Sequence, residues 1–290
     1  MEDSRERPAL LYIVGTPLGN LKDITCRAVE VLKQVPVIAC EDTRHSRKLF
    51  QRYEINARLI SCHEHNEEAA ARQVVSMVES GLSVALVSDA GMPGISDPGY
   101  RVVCLALEHG LQVVPVPGPS ALTTALSASG LPTDRFFFAG FLPSRDKALV
   151  SSLQELAELN ASLVFYCPAR RIKNVLKKAS QVFGNRRAAI ARELTKLHEE
   201  FIRGRLSEIN DLLESRFSVR GEIVLIVEGK SSREEKSADD LPERLDTFLA
   251  GLENAGSMGA KNLTALAAER LGQPRNKIYP LVCAYLNRLK

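Results

Sequence analysis

The chain has 290 residues, 45% of them hydrophobic and 25% charged, with a formal net charge of +3. That length suits two domains or more, and the composition is that of an ordinary globular protein. With no apolar run near the roughly 18 residues of a membrane span and no signal core behind Met1-Glu2-Asp3-Ser4-Arg5, a cytoplasmic protein without a membrane partner is expected.

Behind an N-terminal tail (1–9), short apolar runs alternate with helical patterns. Strands are expected at 11–14, 37–40, 59–61, 84–88 and 113–116, and helices at 24–34, 43–53, 66–80, 99–109 and 120–129. Alternation of this kind predicts a parallel sheet covered on both faces. Asn66-Glu67-Glu68 and Asp97-Pro98-Gly99 offer cap chemistry for two of the helices. The pattern changes near Gly130-Leu131-Pro132-Thr133, which ends a first α/β domain (10–130). A second α/β domain (131–229) has strands expected at 136–139, 163–166, 188–191, 200–202 and 222–227. Its helices are expected at 146–159, 172–183 and 206–214. Only Glu193–His198 separates two of these strands, so this sheet is expected to be mixed. A charged linker (230–240) then leads to a helical C-terminal module (241–290). There Gly272 stops one helix and Pro274-Arg275-Asn276-Lys277 opens the next, which reads as a helix-turn-helix or as a plain helical hairpin.

Three loops stand out, each following a strand: Gly15-Thr16-Pro17-Leu18-Gly19-Asn20, Ser88–Gly99 and Pro117-Gly118-Pro119-Ser120-Ala121. Ligands of open α/β sheets sit beyond the carboxyl ends of the strands, so loops this rich in small and rigid residues mark a built site. A dinucleotide does not suit them: Gly15-x-x-x-Gly19 is not G-x-G-x-x-G, and Pro17 removes an amide that a phosphate would use. A nucleoside cofactor without phosphate suits them better. S-adenosylmethionine needs carboxylate and carbonyl acceptors, a few amide donors and close backbone approach, which Asp89, Ser120, Ala121 and the neighbouring glycines supply.

Charge is unevenly spread. Between 168 and 207 eleven Lys and Arg face three Glu, and from 257 onward six bases face one acid. Such segments fit a polyanion such as RNA, and they equally fit a solvated face balanced by acids elsewhere. The six cysteines form no C-x-x-C pair and sit mostly in apolar segments. Cys62 beside His63 and His65 lacks the second half of a zinc set, so no metal site is expected.

The motifs of the three loops, with Cys40-Glu41-Asp42-Thr43-Arg44, Phe165-Tyr166-Cys167-Pro168-Ala169-Arg170-Arg171, Arg192-Glu193-Leu194-Thr195-Lys196 and Gly221-Glu222-Ile223-Val224, follow in order. Together they resemble the tetrapyrrole methylase superfamily, specifically its ribosomal RNA branch, over about residues 10–290. The resemblance implies two α/β domains with S-adenosylmethionine in the cleft between them, and a homodimer. It implies methylation of the ribose 2′-hydroxyl of a cytidine in small-subunit (16S) ribosomal RNA, within the small ribosomal subunit. Carried over by motif, Pro17, Asp89, Met92, Ser120 and Ala121 would contact the cofactor from the first domain, and Tyr166, Leu194 and Ile223 from the second. One departure is Ser88-Asp89-Ala90, where many superfamily members have Gly-Asp-Pro.

Methyl transfer to a hydroxyl needs alignment, dryness and a proton acceptor. Asp42 or its neighbour Glu41, His63, His65, and Glu199 with Lys196 are the candidates, and Asp42 equally suits a helix N-cap before Thr43. Phosphate contacts are expected from Arg44, Arg47, Lys48, Arg170, Arg171, Lys261, Arg275 and Lys277. Two other activities stay open: a small-molecule methylase acting on a tetrapyrrole or corrin precursor, and a non-catalytic RNA-binding assembly factor.

Overall fold

The computed structural model describes residues 8–230, 241–252 and 258–288. Residues 1–7 of the expected tail, 231–240 of the expected linker, and 253–257 and 289–290 of the expected C-terminal module lie outside them.

The first five strands are β1 (Leu11–Val14), β2 (Val37–Cys40), β3 (Arg58–Ser61), β4 (Val84–Val87) and β5 (Val113–Val116). They form an all-parallel sheet in the order β3-β2-β4-β1-β5. Helices α1 (Cys26–Gln34) and α2 (Thr43–Tyr53) cover one face; α3 (Glu67–Glu79) and α4 (Tyr100–Glu108) cover the other. Burial on both faces is why β2 and β4 are unbroken apolar runs and not alternating ones. Val84 and Leu86 face α3 and α4, while Ala85 and Val87 face α1 and α2.

The second sheet holds β6 (Phe136–Phe141), β7 (Ser162–Pro168), β8 (Arg187–Arg192), β9 (Glu200–Arg205) and β10 (Glu222–Val227). Its order is β6-β7-β10-β8-β9; β6 runs parallel to β7 and the other pairs are antiparallel, so the sheet is mixed. On one face, Leu163, Phe165 and Leu225 pack under α6 (Asp146–Leu156), α7 (Ile172–Phe183) and α8 (Leu206–Glu214). On the other, Val164, Val224 and Ile226 pack against Ala125 and Leu126 of α5 (Ala121–Ser127). Helix α5 leaves the first sheet and lies on the second, so both sheets fall in one compact unit that runs to Lys230.

The second compact unit begins at Ser231 and contains α9 (Leu241–Ala250), α10 (Ala260–Leu271) and α11 (Arg275–Arg288). Leu245, Leu249, Leu263, Ala267, Ile278 and Val282 give it a core of its own. Gly272 ends α10 in the left-handed conformation (φ 62°). Among the described residues, no helix is long and apolar enough to cross a membrane.

Two caps differ from expectation. Asn66 precedes α3 without capping it; its side chain instead accepts from the His63 amide (2.8 Å) and donates to the Ser61 carbonyl (3.1 Å). Asp97 does not cap α4 either. The Gly99 and Arg101 amides donate to Glu67 Oε1 (2.8 and 3.0 Å), a carboxylate supplied by α3.

Candidate active site

Strands β4, β1 and β5 are neighbours, so their three loops leave the sheet side by side at its carboxyl edge. The loops are stitched to one another. The Thr16 amide donates to the Gly91 carbonyl (2.8 Å) and the Gly91 amide to the Thr16 carbonyl (3.0 Å). The Thr16 hydroxyl donates to the Ser88 carbonyl (3.0 Å). Gly15 and Gly118 touch backbone to backbone: a Cβ on either would fall 2.7 Å from the other's Cα, so neither position tolerates a side chain. The β8–β9 loop reaches across from the second sheet, where the Asn20 amide donates to the Thr195 hydroxyl (3.2 Å) and the Lys196 stem covers Gly19.

A cavity of ≈ 330 Å³ lies between these loops and the second sheet, a size suited to a small ligand. Met92, Ser120, Ala121, Tyr166, Leu194 and Ile223, six of the residues expected at the cofactor, line it together. Pro17 and Asp89 do not. Pro17 is buried in its loop beside Leu18, which does line the cavity, and Asp89 Oδ1 accepts from the Asp42 amide (3.1 Å). Phe138 and Phe141 hold the Tyr166 ring edge-to-face, with centroids at 4.8 and 5.4 Å.

Two carboxylates line the cavity, Asp97 and Glu222. Glu222 is ion-paired, 3.0 Å from Lys196 Nζ. Asp97 is different. Burial, then the charge of Glu41, push its carboxyl up to about 6; Asp89 adds to this and a hydrogen bond with Ser88 opposes it. Burial and Asp89 raise Glu41 as well. Burial pushes the lining Cys167 thiol up to about 11 and raises the Tyr166 hydroxyl. Asp97 is therefore the lining group that its surroundings bring toward neutral pH. Ser96 before it is held at φ 63°, a left-handed conformation uncommon outside glycine. The sequence reading missed Asp97 because Asp-Pro-Gly before a helix reads as a cap. Once Glu67 takes the capping role, the Asp97 carboxylate is released to the cavity.

The expected catalytic residues are engaged elsewhere, and none lines the cavity. Asp42 caps α2, accepting from the Arg44 amide (2.8 Å) and from its guanidinium (2.9 Å), and Arg44 holds its carboxyl down at about 2. Lys196 Nζ lies 3.0 Å from both Glu193 and Glu222. Glu199 accepts from the Thr195 amide (2.6 Å). His63 and His65 meet edge-to-face at 6.0 Å, and the buried His63 Nδ1 has no partner among the described residues.

The family model for tetrapyrrole (corrin/porphyrin) methylases matches residues 10–210. The chain belongs to the tetrapyrrole methylases. It is 45% identical to ribosomal RNA small subunit methyltransferase I of Escherichia coli O157:H7, covering 93% of each chain. To the protein of the same name from Vibrio cholerae serotype O1 it is 43% identical, over 96% of this chain and 97% of that one. Among solved structures it matches uroporphyrin-III-C-methyltransferase from Thermus thermophilus (TM-score 0.56, 21% identity, 77% of this chain and 94% of that one). It also matches a cobalt precorrin-4 methyltransferase (TM-score 0.57, 17% identity, 79% and 98%). A further Thermus uroporphyrin-III C-methyltransferase structure was solved with S-adenosyl homocysteine (TM-score 0.53, 22% identity, 77% and 98%).

In this methylase the basic stretch after Pro168 is largely spent inside the fold. Arg171 donates to the Leu142 carbonyl (3.1 Å) and to that of Pro143. Arg186 donates to Ala157 O (2.7 Å), Arg203 to Ala128 O (2.6 Å) and Arg205 to Asn185 O (3.0 Å). Arg192 shares Glu200 with Arg216. Part of the positive charge there thus braces backbone carbonyls, while Arg187, Arg203 and Arg205 also stay exposed, a distinction that composition alone does not make. Arg170 is exposed, as are Arg47 and Lys48 on α2, while Arg44 beside them is paired with Asp42. In the C-terminal unit Lys261, Arg275 and Lys277 are exposed.

Proposed function

We propose that this chain transfers the methyl group of S-adenosylmethionine to the ribose 2′-hydroxyl of a cytidine in small-subunit (16S) ribosomal RNA, in the cytoplasm and as a homodimer. The cavity carries this reading. Its apolar walls suit an adenosine, and the Ser120 hydroxyl, which makes no capping bond, is free for a polar group of the cofactor. The negative charge of Glu41, Asp89 and Asp97 at this end of the sheet attracts a cationic cofactor without requiring that any of the three touch it. Met92, Ser120, Ala121, Tyr166, Leu194 and Ile223 would contact the cofactor, with Pro17 and Asp89 holding the loops around it.

Three features favour RNA over a corrin or porphyrin precursor. The rRNA methyltransferase relatives cover 93–96% of this chain, whereas the corrin and porphyrin methyltransferase structures leave about a fifth of it uncovered. That fraction equals the C-terminal helical unit in length. Lys261, Arg275 and Lys277 are exposed there, and Arg170, Arg47 and Lys48 on the first unit, with Arg44 freed from Asp42 when phosphate approaches. A second copy is proposed to cover the edge strand β6, which leaves Phe136, Phe137 and Phe141 exposed.

The test is transfer of a labelled methyl group from S-adenosylmethionine to small ribosomal subunits lacking the modification, with nuclease mapping. Label recovered as 2′-O-methylcytidine at one site is expected. Absence of label with cofactor binding intact points to a small-molecule acceptor; absence of both points to an assembly factor.

A further inference from the structure

Deprotonation is where the expected residues fall short. A ribose hydroxyl must give up its proton as the methyl group arrives, and a base that assists has to reach the cavity in which both reactants meet. Asp42 is bound to Arg44, Lys196 to two carboxylates and Glu199 to a backbone amide, and neither His63 nor His65 lines the cavity. Of the two carboxylates that do line it, Glu222 is tied to Lys196. Asp97 remains.

We propose that Asp97 is the general base that accepts the 2′-hydroxyl proton. This rests on the methyl-transfer reading given above. The hydroxyl proton passes to the Asp97 carboxylate as the oxygen lone pair forms the bond to the methyl carbon. The pair of the breaking carbon–sulfur bond stays on sulfur, so the sulfonium becomes a neutral thioether and the carboxylate a carboxylic acid. Atoms and charge balance with no further reactant.

The surroundings of Asp97 suit this role. Ser88 and Asp89 face it from the end of β4, Glu41 from the end of β2 and Tyr166 from β7, and His63 in turn faces Glu41. No Lys or Arg pairs with Asp97 among the described residues, so nothing there holds it as a weakly basic anion. With its carboxyl near 6 it is ionised at pH 7–8, yet far more basic than the Arg44-bound Asp42 near 2. A base near the operating pH serves proton transfer best. Position agrees with charge: the left-handed turn at Ser96 sits against β6, where a Cβ on Gly140 would lie 3.1 Å from Ser96 Oγ, so the loop bearing Asp97 is seated on the second sheet.

The experiment compares the full chain with its Asp97→Asn and Asp97→Glu variants. S-adenosylhomocysteine binding is measured by calorimetry, single-turnover methylation of unmodified small subunits from pH 5 to 9, and the carboxyl titration of the free protein by isotope-edited infrared. Asp97→Asn should bind S-adenosylhomocysteine within about threefold of wild type. Its transfer rate should fall about 10²–10⁴-fold and lose the rise with pH centred near 6, and Asp97→Glu should restore part of both. An infrared carboxyl band titrating near 6 should vanish in Asp97→Asn. Transfer by Asp97→Asn at the wild-type rate overturns the proposal, as does an unchanged pH profile. Loss of S-adenosylhomocysteine affinity in step with the rate also overturns it, making Asp97 a cofactor ligand. A wild-type chain that binds S-adenosylhomocysteine but methylates no subunit overturns the substrate reading together with this one, whereas the variant outcomes overturn this one alone.

Discussion

The two sheets contribute different things to the cavity. The first supplies loops: polar, glycine-rich, cross-linked by backbone hydrogen bonds, with Asp97 and Ser120 presented from them. The second supplies walls, with Tyr166 and Val224 projecting from strands while Ile223 borders the cavity from the strand and turns its side chain to the helix-covered core. Strand residues sit where the ladder puts them, so their placement needs no special conformation. Loop residues need one, and the Gly15–Gly118 contact and the left-handed Ser96 show the constraint. The lesson is a division of labour in which rigid strands shape the cavity and strained loops carry its chemistry.

The largest effect should come from breaking the loop side. Gly15→Val places side-chain carbon where Gly118 backbone and the Met92 sulfur already sit. It should cost on the order of 3 kcal/mol in urea unfolding and abolish S-adenosylhomocysteine binding. Wild-type stability in that variant would mean the loops are not locked together.

Next comes a stability change that depends on pH. Burial holds the Asp97 carboxyl at about 6 in the folded chain, above the 3.8 of a free aspartate. Its raised pKa favours the folded state while the group is protonated, and this advantage is lost as pH rises from about 4 through 6. Asp97→Asn avoids the loss. It should therefore be more stable than wild type at pH 8, by roughly 2 kcal/mol once the roughly 3 kcal/mol of the full shift is discounted for solvent screening, and equal to it below pH 4, read from urea midpoints. A variant less stable at pH 8 contradicts the burial of this charge.

The wall side should respond more mildly. Val224→Ala removes an apolar surface from the cavity face of β10 and should weaken S-adenosylhomocysteine binding by about 1–2 kcal/mol, leaving the pH profile unchanged. Smaller still is the contrast between two arginines. Replacing the exposed Arg275 by Ala should lower the salt slope of RNA binding by about one unit with little loss of stability. Arg171→Ala should leave the slope alone and destabilise the fold, since its guanidinium serves the Leu142 and Pro143 carbonyls. Equal slopes would remove the distinction between structural and RNA-facing charge.

The strands and helices were legible because buried parallel strands are unbroken apolar runs and the helices between them are amphipathic. Ser120 and Ala121 were legible too, since glycine, proline and serine after a strand mark a ligand loop, whereas Met92, Tyr166, Leu194 and Ile223 followed only from the family resemblance. What was not legible depends on partners distant in sequence. Glu67 caps a helix that begins more than thirty residues later, which frees Asp97 from the role its Asp-Pro-Gly context suggests. Arg203 ends on Ala128 and Arg186 on Ala157, so part of a basic stretch that looks like an RNA face braces the fold. Asp42 shows the reverse: its cap role was visible from Thr43 onward, and the structure places it there.

The most direct measurement is a crystal structure of the full chain with S-adenosylhomocysteine. The ligand is expected between the two sheets, against Ser120, Ala121, Tyr166, Leu194 and Ile223, with the former methyl position open toward Asp97. Ligand density anywhere outside this cavity, or a sulfur turned away from Asp97, would contradict this placement.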